Sequence, residues 1–366
     1  MASRLLARGL CALVVMACGL AFLPPSAYAQ ESSAAQRAKA REGQKKQAQQ
    51  KQAQKKSPQK KAQPKPAPRK QPQQAPRKPQ AKPVPQPPAS AGPRASTDTE
   101  SSITRPGDHN FGIQHGGLAR TYRVRVPPNY NIATPAPLVV LLHGAAASAD
   151  FQANESYYGL AAKADREGFI AVFPNAVNRA AAGRPGAWNV AGAPREQSVD
   201  DVGFIAQVVM NVFRQMSVDR GRIFAAGLSD GGTMVYRLAC ELPEMFKAVV
   251  SVGGSDNTRK CEPSGSVSVL HIHAKDDPQV AFASAPETAG KWAQLNGCTA
   301  QPRRVLEKDG AYCDAYSYCR GRADVQLCVT DKGGHSWPGG RTLRGGSTAS
   351  QAISATDLIW EFFSRR

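Results

Sequence analysis

Between Gln30 and Glu100 the chain contains no aromatic residue at all. The stretch is Lys, Gln, Pro and Ala, with 17 basic residues against four acidic ones, net +13. With no large apolar side chains to bury, residues 30–100 cannot form a core, which predicts a disordered basic tail with polyproline character from Pro58 onward. The same absence removes the platforms on which bases stack, so specific nucleic-acid binding is not expected. A solvated spacer, or a weak electrostatic contact with anionic envelope polymers, is the reading that remains.

Also missing is an apolar run long enough to span a bilayer: residues 9–23 are fifteen, where about 20 are needed. Arg4 and Arg8 precede that run and Ala27-Tyr28-Ala29 follows it, the layout of a cleavable signal peptide over residues 1–29. The mature chain is then expected to start near Gln30, secreted or periplasmic, with no transmembrane span. No metal-ligand spacing stands out, and no cofactor is expected. His271-x-His273 with Asp276 or Asp277 comes nearest to a ligand set, but strand alternation explains it better.

Of the net charge of +19, only +4 belongs to residues 101–366. These residues are enough for one sizeable α/β domain. Residues 109–115, Gly116-Gly117 and residues 119–126 read as an opening hairpin. The apolar runs at 138–142, 169–173, 223–226, 248–252, 267–273 and 324–330 read as buried strands. Helices are expected at 157–167, from Asp200-Asp201 to about Met216, after Ser229, at 287–296 and at 350–363. Strands alternating with helices predict a mostly parallel central sheet with helices on both faces.

The chemistry centres on residues 222–243, RIFAAGLSDGGTMVYRLACELP. A short apolar strand runs into Gly227-Leu228-Ser229-Asp230-Gly231, and a helix follows with Met234, Leu238 and Leu242 on one face. Strand, G-x-S-x-G and helix in that order form a nucleophile elbow, which lifts a serine hydroxyl above a sheet. Ser229 is the candidate nucleophile, and it needs a base. Of six histidines, His109 and His115 lie in the hairpin, His143 ends an early strand, and His271 and His273 sit in strand phase. His335 remains, in the loop GGHSWPGG beyond the last strand, at the sheet edge where open α/β folds place their sites. A third residue must orient the imidazole. Asp277, before Pro278, fits the order Ser, Asp, His; Asp276 is its rival.

LLHG at 141–144, AWN at 187–189, VDDVGFI at 199–205, GLSDGG at 227–232, DP with Val280, and GGHSWPGG at 333–340 together resemble a secreted esterase family. It holds the poly(3-hydroxybutyrate) depolymerases and feruloyl esterases. The resemblance runs from about Gly112 to Phe363 and implies the α/β-hydrolase fold and a carboxylic-ester hydrolase. The implied substrate is a hydroxyalkanoate oligomer or polymer, or an aryl or acyl ester of a polysaccharide. By position it implies Ser229, Asp277 and His335 as a triad and the N–H groups of Ala145 and Asp230 as an oxyanion hole. The family often carries Cys where this chain has Ala145.

Trp188 and Trp337 are the expected aromatics of the substrate cleft. Six cysteines remain after the signal, an even number in an exported chain, with Cys240–Cys261, Cys298–Cys319 and Cys313–Cys328 as the expected disulfides. Two other readings compete. One is a serine peptidase on the same fold, against which the lack of a propeller or cap domain weighs; the other is a non-catalytic cell-envelope-binding protein.

Overall fold

The computed structural model describes residues 103, 105–177, 186–190, 199–342 and 346–366. They fall in the second of two units into which the chain divides, Ala89–Arg366. The expected signal and basic tail lie outside the described residues.

Ten strands form one sheet in the order β1-β2-β4-β3-β5-β6-β7-β10-β9-β8. The hairpin β1 (Gly107–His115) and β2 (Leu118–Val126) is antiparallel, and β2 joins β4 (Ile170–Pro174) in the same sense. From β4 the sheet is parallel through β3 (Ala136–Leu142), β5 (Val218–Leu228), β6 (Ala248–Val252), β7 (Ser268–Ala274) and β10 (Val325–Thr330). Every residue of β3, β4, β6 and β7 is buried, which is why these strands are mostly apolar.

Alternate side chains of one strand feed two cores. Leu138, Val140 and Leu142 face α3 (Asp201–Gln215), α4 (Asp230–Glu241) and α5 (Ser284–Leu295), which contribute Phe204, Met234 and Trp292. Val139 and Leu141 face the opposite layer, where α2 (Leu160–Glu167) and α6 (Ala355–Ser364) contribute Leu160, Phe362 and Phe363. A single turn, α1 (Ala149–Gln152), is capped by Ser148. Asp200 caps α3, its carboxylate accepting from Gly203 N at 2.9 Å, as its place before the apolar pattern predicts.

Two strands, β8 (Arg303–Lys308) and β9 (Ala311–Tyr316), were not expected; they extend the sheet antiparallel beyond β10. The α2 and α6 helices start later than their sequence patterns suggest. Gly159, in the left-handed region at φ 65°, stops the first from starting at Tyr157, and Ser354 caps the second by accepting from Asp357 N at 3.2 Å.

The connection after β3 goes outward to β4, and the connection after β4 returns inward to β5. The reversal opens a crevice at the C-terminal ends of β3 and β5. His143-Gly144 and Ser229 lie on its two sides.

Candidate active site

Ser229 sits between β5 and α4 at φ 55°, ψ −120°, a strained conformation for a residue with a side chain. Its backbone is held at both ends: Ser229 N donates to Val252 O at 2.9 Å, and Ser229 O accepts from Thr233 N at 2.8 Å. The glycines of the elbow follow from contact distances. A Cβ on Gly227 would stand 2.4 Å from the Gly231 carbonyl carbon, and one on Gly231 would stand 2.2 Å from Leu142 O. No side chain fits either gap, so the strand, the turn and the preceding β3 end close on one another only with glycine there.

Across the crevice, a Cβ on Gly144 would lie 3.4 Å from the Ser229 Cβ, which places the 143–147 loop beside the serine. His143 itself is buried with both ring nitrogens engaged. Its Nδ1 donates to Gly144 O at 2.8 Å, and its Nε2 accepts from Ala176 N at 3.1 Å. Burial lowers its pKa, and its imidazole is structural. Ala145 is exposed, and Ala146 takes the left-handed conformation at φ 60°.

His335 comes from the loop after β10 and is bound to the loop after β7. Its Nδ1 donates to Asp277 Oδ2 at 2.8 Å. The other Asp277 oxygen accepts from Gln279 N and Val280 N at 2.8 and 2.9 Å, so the carboxylate is fixed by three donors. Asp276 does a different job: its Oδ1 accepts from Gly334 N at 2.7 Å and ties down the backbone that carries the histidine. With Nδ1 donating, His335 Nε2 is the bare lone pair; it is buried and, among the described residues, has no hydrogen-bond partner. The register across β5, β6 and β7 explains the meeting. Leu228, Val252 and Ile272 are neighbours, so Ser229 and Gly253 follow side by side at the sheet edge, and His335 covers Gly253.

The two expected cleft aromatics are both buried. Trp188 is buried, its Nε1 donating to His143 O at 2.8 Å, and it packs on the His143 ring at 5.1 Å. Trp337 is buried too, its Nε1 donating to Thr356 Oγ1 at 3.0 Å and its ring resting on Tyr158. A loop indole with a partner for its N–H gains more from burial than from exposure. Each tryptophan anchors a loop near Ser229 through its indole hydrogen bond.

Disulfides join Cys240 to Cys261, Cys298 to Cys319, and Cys313 to Cys328. The last pair are direct neighbours on β9 and β10. Among the described residues there is no cluster of three His, Cys, Asp or Glu side chains able to hold a metal ion, and no helix long and apolar enough to cross a membrane.

Residues 120–296 match the family described as Esterase PHB depolymerase. Over those residues, a little less than half of the chain, it is similar to that esterase family. It is 28% identical over 235 residues to Feruloyl esterase B of Piromyces equi, covering 58% of this chain and 42% of that protein, so the chain spans less than half of that relative. To the probable feruloyl esterase C of Aspergillus niger it is 28% identical over 248 residues, covering 67% and 83%. The acetyl xylan esterase from Aspergillus awamori superposes with a TM-score of 0.51 at 17% identity, covering 68% of this chain and 94% of that one, a likeness of fold. The described residues have the α/β-hydrolase fold. Sequence reasoning weighed Asp276 only as a rival acid and His271 and His273 only as strand residues, and it gave Tyr236 no role. The alternation of His271 and His273 was the visible signal of the row that includes Tyr236.

Proposed function

We propose that this exported protein cleaves carboxylic esters through an acyl-enzyme on Ser229. Ser229 Oγ attacks the ester carbonyl and passes its proton to His335 Nε2. The N–H groups of Asp230, at the start of α4, and Ala145, in the loop across the crevice, receive the oxyanion. The alcohol leaves with the proton from His335, and water then repeats the sequence to free the acid. Asp277 keeps the imidazole in the Nδ1–H form throughout. One observation carries this reading: His335 is bound to Asp277 through Nδ1 while its buried Nε2, beside the elbow of Ser229, has no partner among the described residues.

The names of the relatives favour a feruloyl ester, in keeping with the expected aryl or acyl ester class, with hydroxyalkanoate esters as the second class. Three disulfides accord with an oxidising compartment outside the cytoplasm. The basic segment at residues 30–100 serves as a salt-sensitive tether to anionic envelope polymers: its removal is expected to abolish adsorption to such a polymer and leave small-ester turnover intact.

The test compares the parent with Ser229→Ala and His335→Ala on acetyl, feruloyl and hydroxybutyrate esters and on a matched amide. Turnover of esters by the parent alone supports the reading. Faster cleavage of the amide turns it into a peptidase, and no turnover at all leaves a binding protein.

A further inference from the structure

Behind Asp277 lies a row of three buried polar side chains that the reaction as described does not use. Tyr236 Oη is 2.5 Å from His271 Nδ1, His271 Nε2 is 2.9 Å from His273 Nδ1, and His273 Nε2 is 3.0 Å from Val280 O. The same His273 nitrogen stands 3.5 Å from Asp277 Oδ2. Tyr236 and His271 are fully buried and His273 is 1% exposed. The row begins on α4, the helix that starts at the elbow, runs through β7, and ends on the loop that holds the acid.

Its polarity is set from the far end. A carbonyl oxygen only accepts, so His273 Nε2 carries a hydrogen. A neutral His273 then accepts at Nδ1, which makes His271 Nε2 a donor and His271 Nδ1 an acceptor. That leaves Tyr236 O–H as the first donor. Both imidazoles are held neutral: burial pushes His271 down to about 3, and burial lowers His273 against the opposing pull of Val280 O and Asp277. The ionisable groups facing His273 are His271 on its own strand, Asp277, and His335 from the loop after β10; Asp256 acts on Tyr236 from the loop after β6.

Two inward histidines on a fully buried strand are costly to desolvate, and valine would serve the core at least as well. What the row supplies is an N–H aimed at the acid loop.

We infer that Tyr236, His271 and His273 are positioning residues for ester hydrolysis: they clamp the 276–280 loop through Val280 O and turn an N–H toward Asp277, so that its carboxylate holds His335 ready for the Ser229 proton. The inference rests on the roles proposed above for Ser229, His335 and Asp277.

The test uses the full chain and a small activated aryl ester. His273→Phe keeps the ring bulk and removes both nitrogens, His273→Gln returns an amide donor, and Tyr236→Phe removes only the buried hydroxyl. His273→Phe is expected to lower kcat about 10- to 100-fold, with KM changed less than about twofold, because the acid is misplaced and no substrate contact is lost. The downfield proton NMR signal of the His335 Nδ1–H bond to Asp277 is expected to weaken or vanish with it. His273→Gln is expected to recover part of both, and Tyr236→Phe to lose about threefold in kcat through the weakened network. A folded His273→Phe with parental kcat and an unchanged proton signal overturns the inference. Should that variant fail to fold, Tyr236→Phe decides: parental kcat and signal overturn the inference, and loss of both with KM held supports it. Failure of the roles beneath it reads differently, as turnover that survives Ser229→Ala whatever the His273 variants do.

Discussion

Gly253 lies directly beneath His335: a Cβ built on it would stand 3.5 Å from both Cε1 and Nδ1 of the imidazole. Its φ of +57° also belongs to glycine. Alanine would fit sterically at the cost of about 1 kcal/mol in backbone strain, but a branched side chain would reach into the ring. Gly253→Val is therefore expected to lower kcat at least about tenfold by displacing the base from Ser229, on the scale of a small misplacement. Steady-state kinetics checks this beside a melting curve, since a variant that melts like the parent and keeps its kcat contradicts the proposed seat of the base.

Acid stability carries the mark of the buried histidines. Folded His271 titrates at about 3 because of burial, whereas an exposed imidazole titrates near 6.5. Between those values the unfolded chain binds a proton that the folded chain refuses, so stability falls as pH drops from about 6.5 toward about 3. The loss is about 2 kcal/mol by pH 5 from this group alone. His273 and His143 are lowered by burial as well and act in the same direction. Denaturant unfolding measured from pH 7 to pH 4 is expected to show this slope in the parent and a slope smaller by about one proton in His271→Asn. Equal slopes would mean that His271 is charged inside the fold.

How much of this was legible beforehand depended on whether local chemistry alone decided the outcome. The elbow was readable because Gly227 and Gly231 are forced by backbone contacts that any strand-turn-helix of this kind makes. The parallel strands were readable because burial on both faces leaves few polar positions. Strand β8 was not, since five of its six residues are exposed at the sheet edge and its Arg, Glu and Lys carry no apolar rhythm. Asp276 and Asp277 are adjacent acids in one turn, and only the arrival of the 333–335 loop separates one that binds Gly334 N from one that binds the ring. Trp188 and Trp337 sit in loops, where sequence does not say whether an indole finds a buried acceptor; here each does.

The disulfide between Cys240 and Cys261 closes 21 residues and ties the end of α4 to the segment before β7, away from His335. Replacing both cysteines by alanine is expected to cost about 3 kcal/mol of stability and to leave kcat unchanged at temperatures where the variant stays folded. Equilibrium unfolding and ester turnover on the same samples check it. A loss of kcat in the folded variant would mean that this link holds the elbow helix in register with the site.

The claim on which the account turns is that Ser229 becomes acylated. Mixing the enzyme with an activated acetyl ester, quenching within the first turnover and sequencing the peptides by mass spectrometry tests it directly. The prediction is one acetyl group on Ser229, formed in a burst and turned over, and absent from Ser229→Ala. An acetyl group found on another residue, or ester turnover that Ser229→Ala retains, contradicts it.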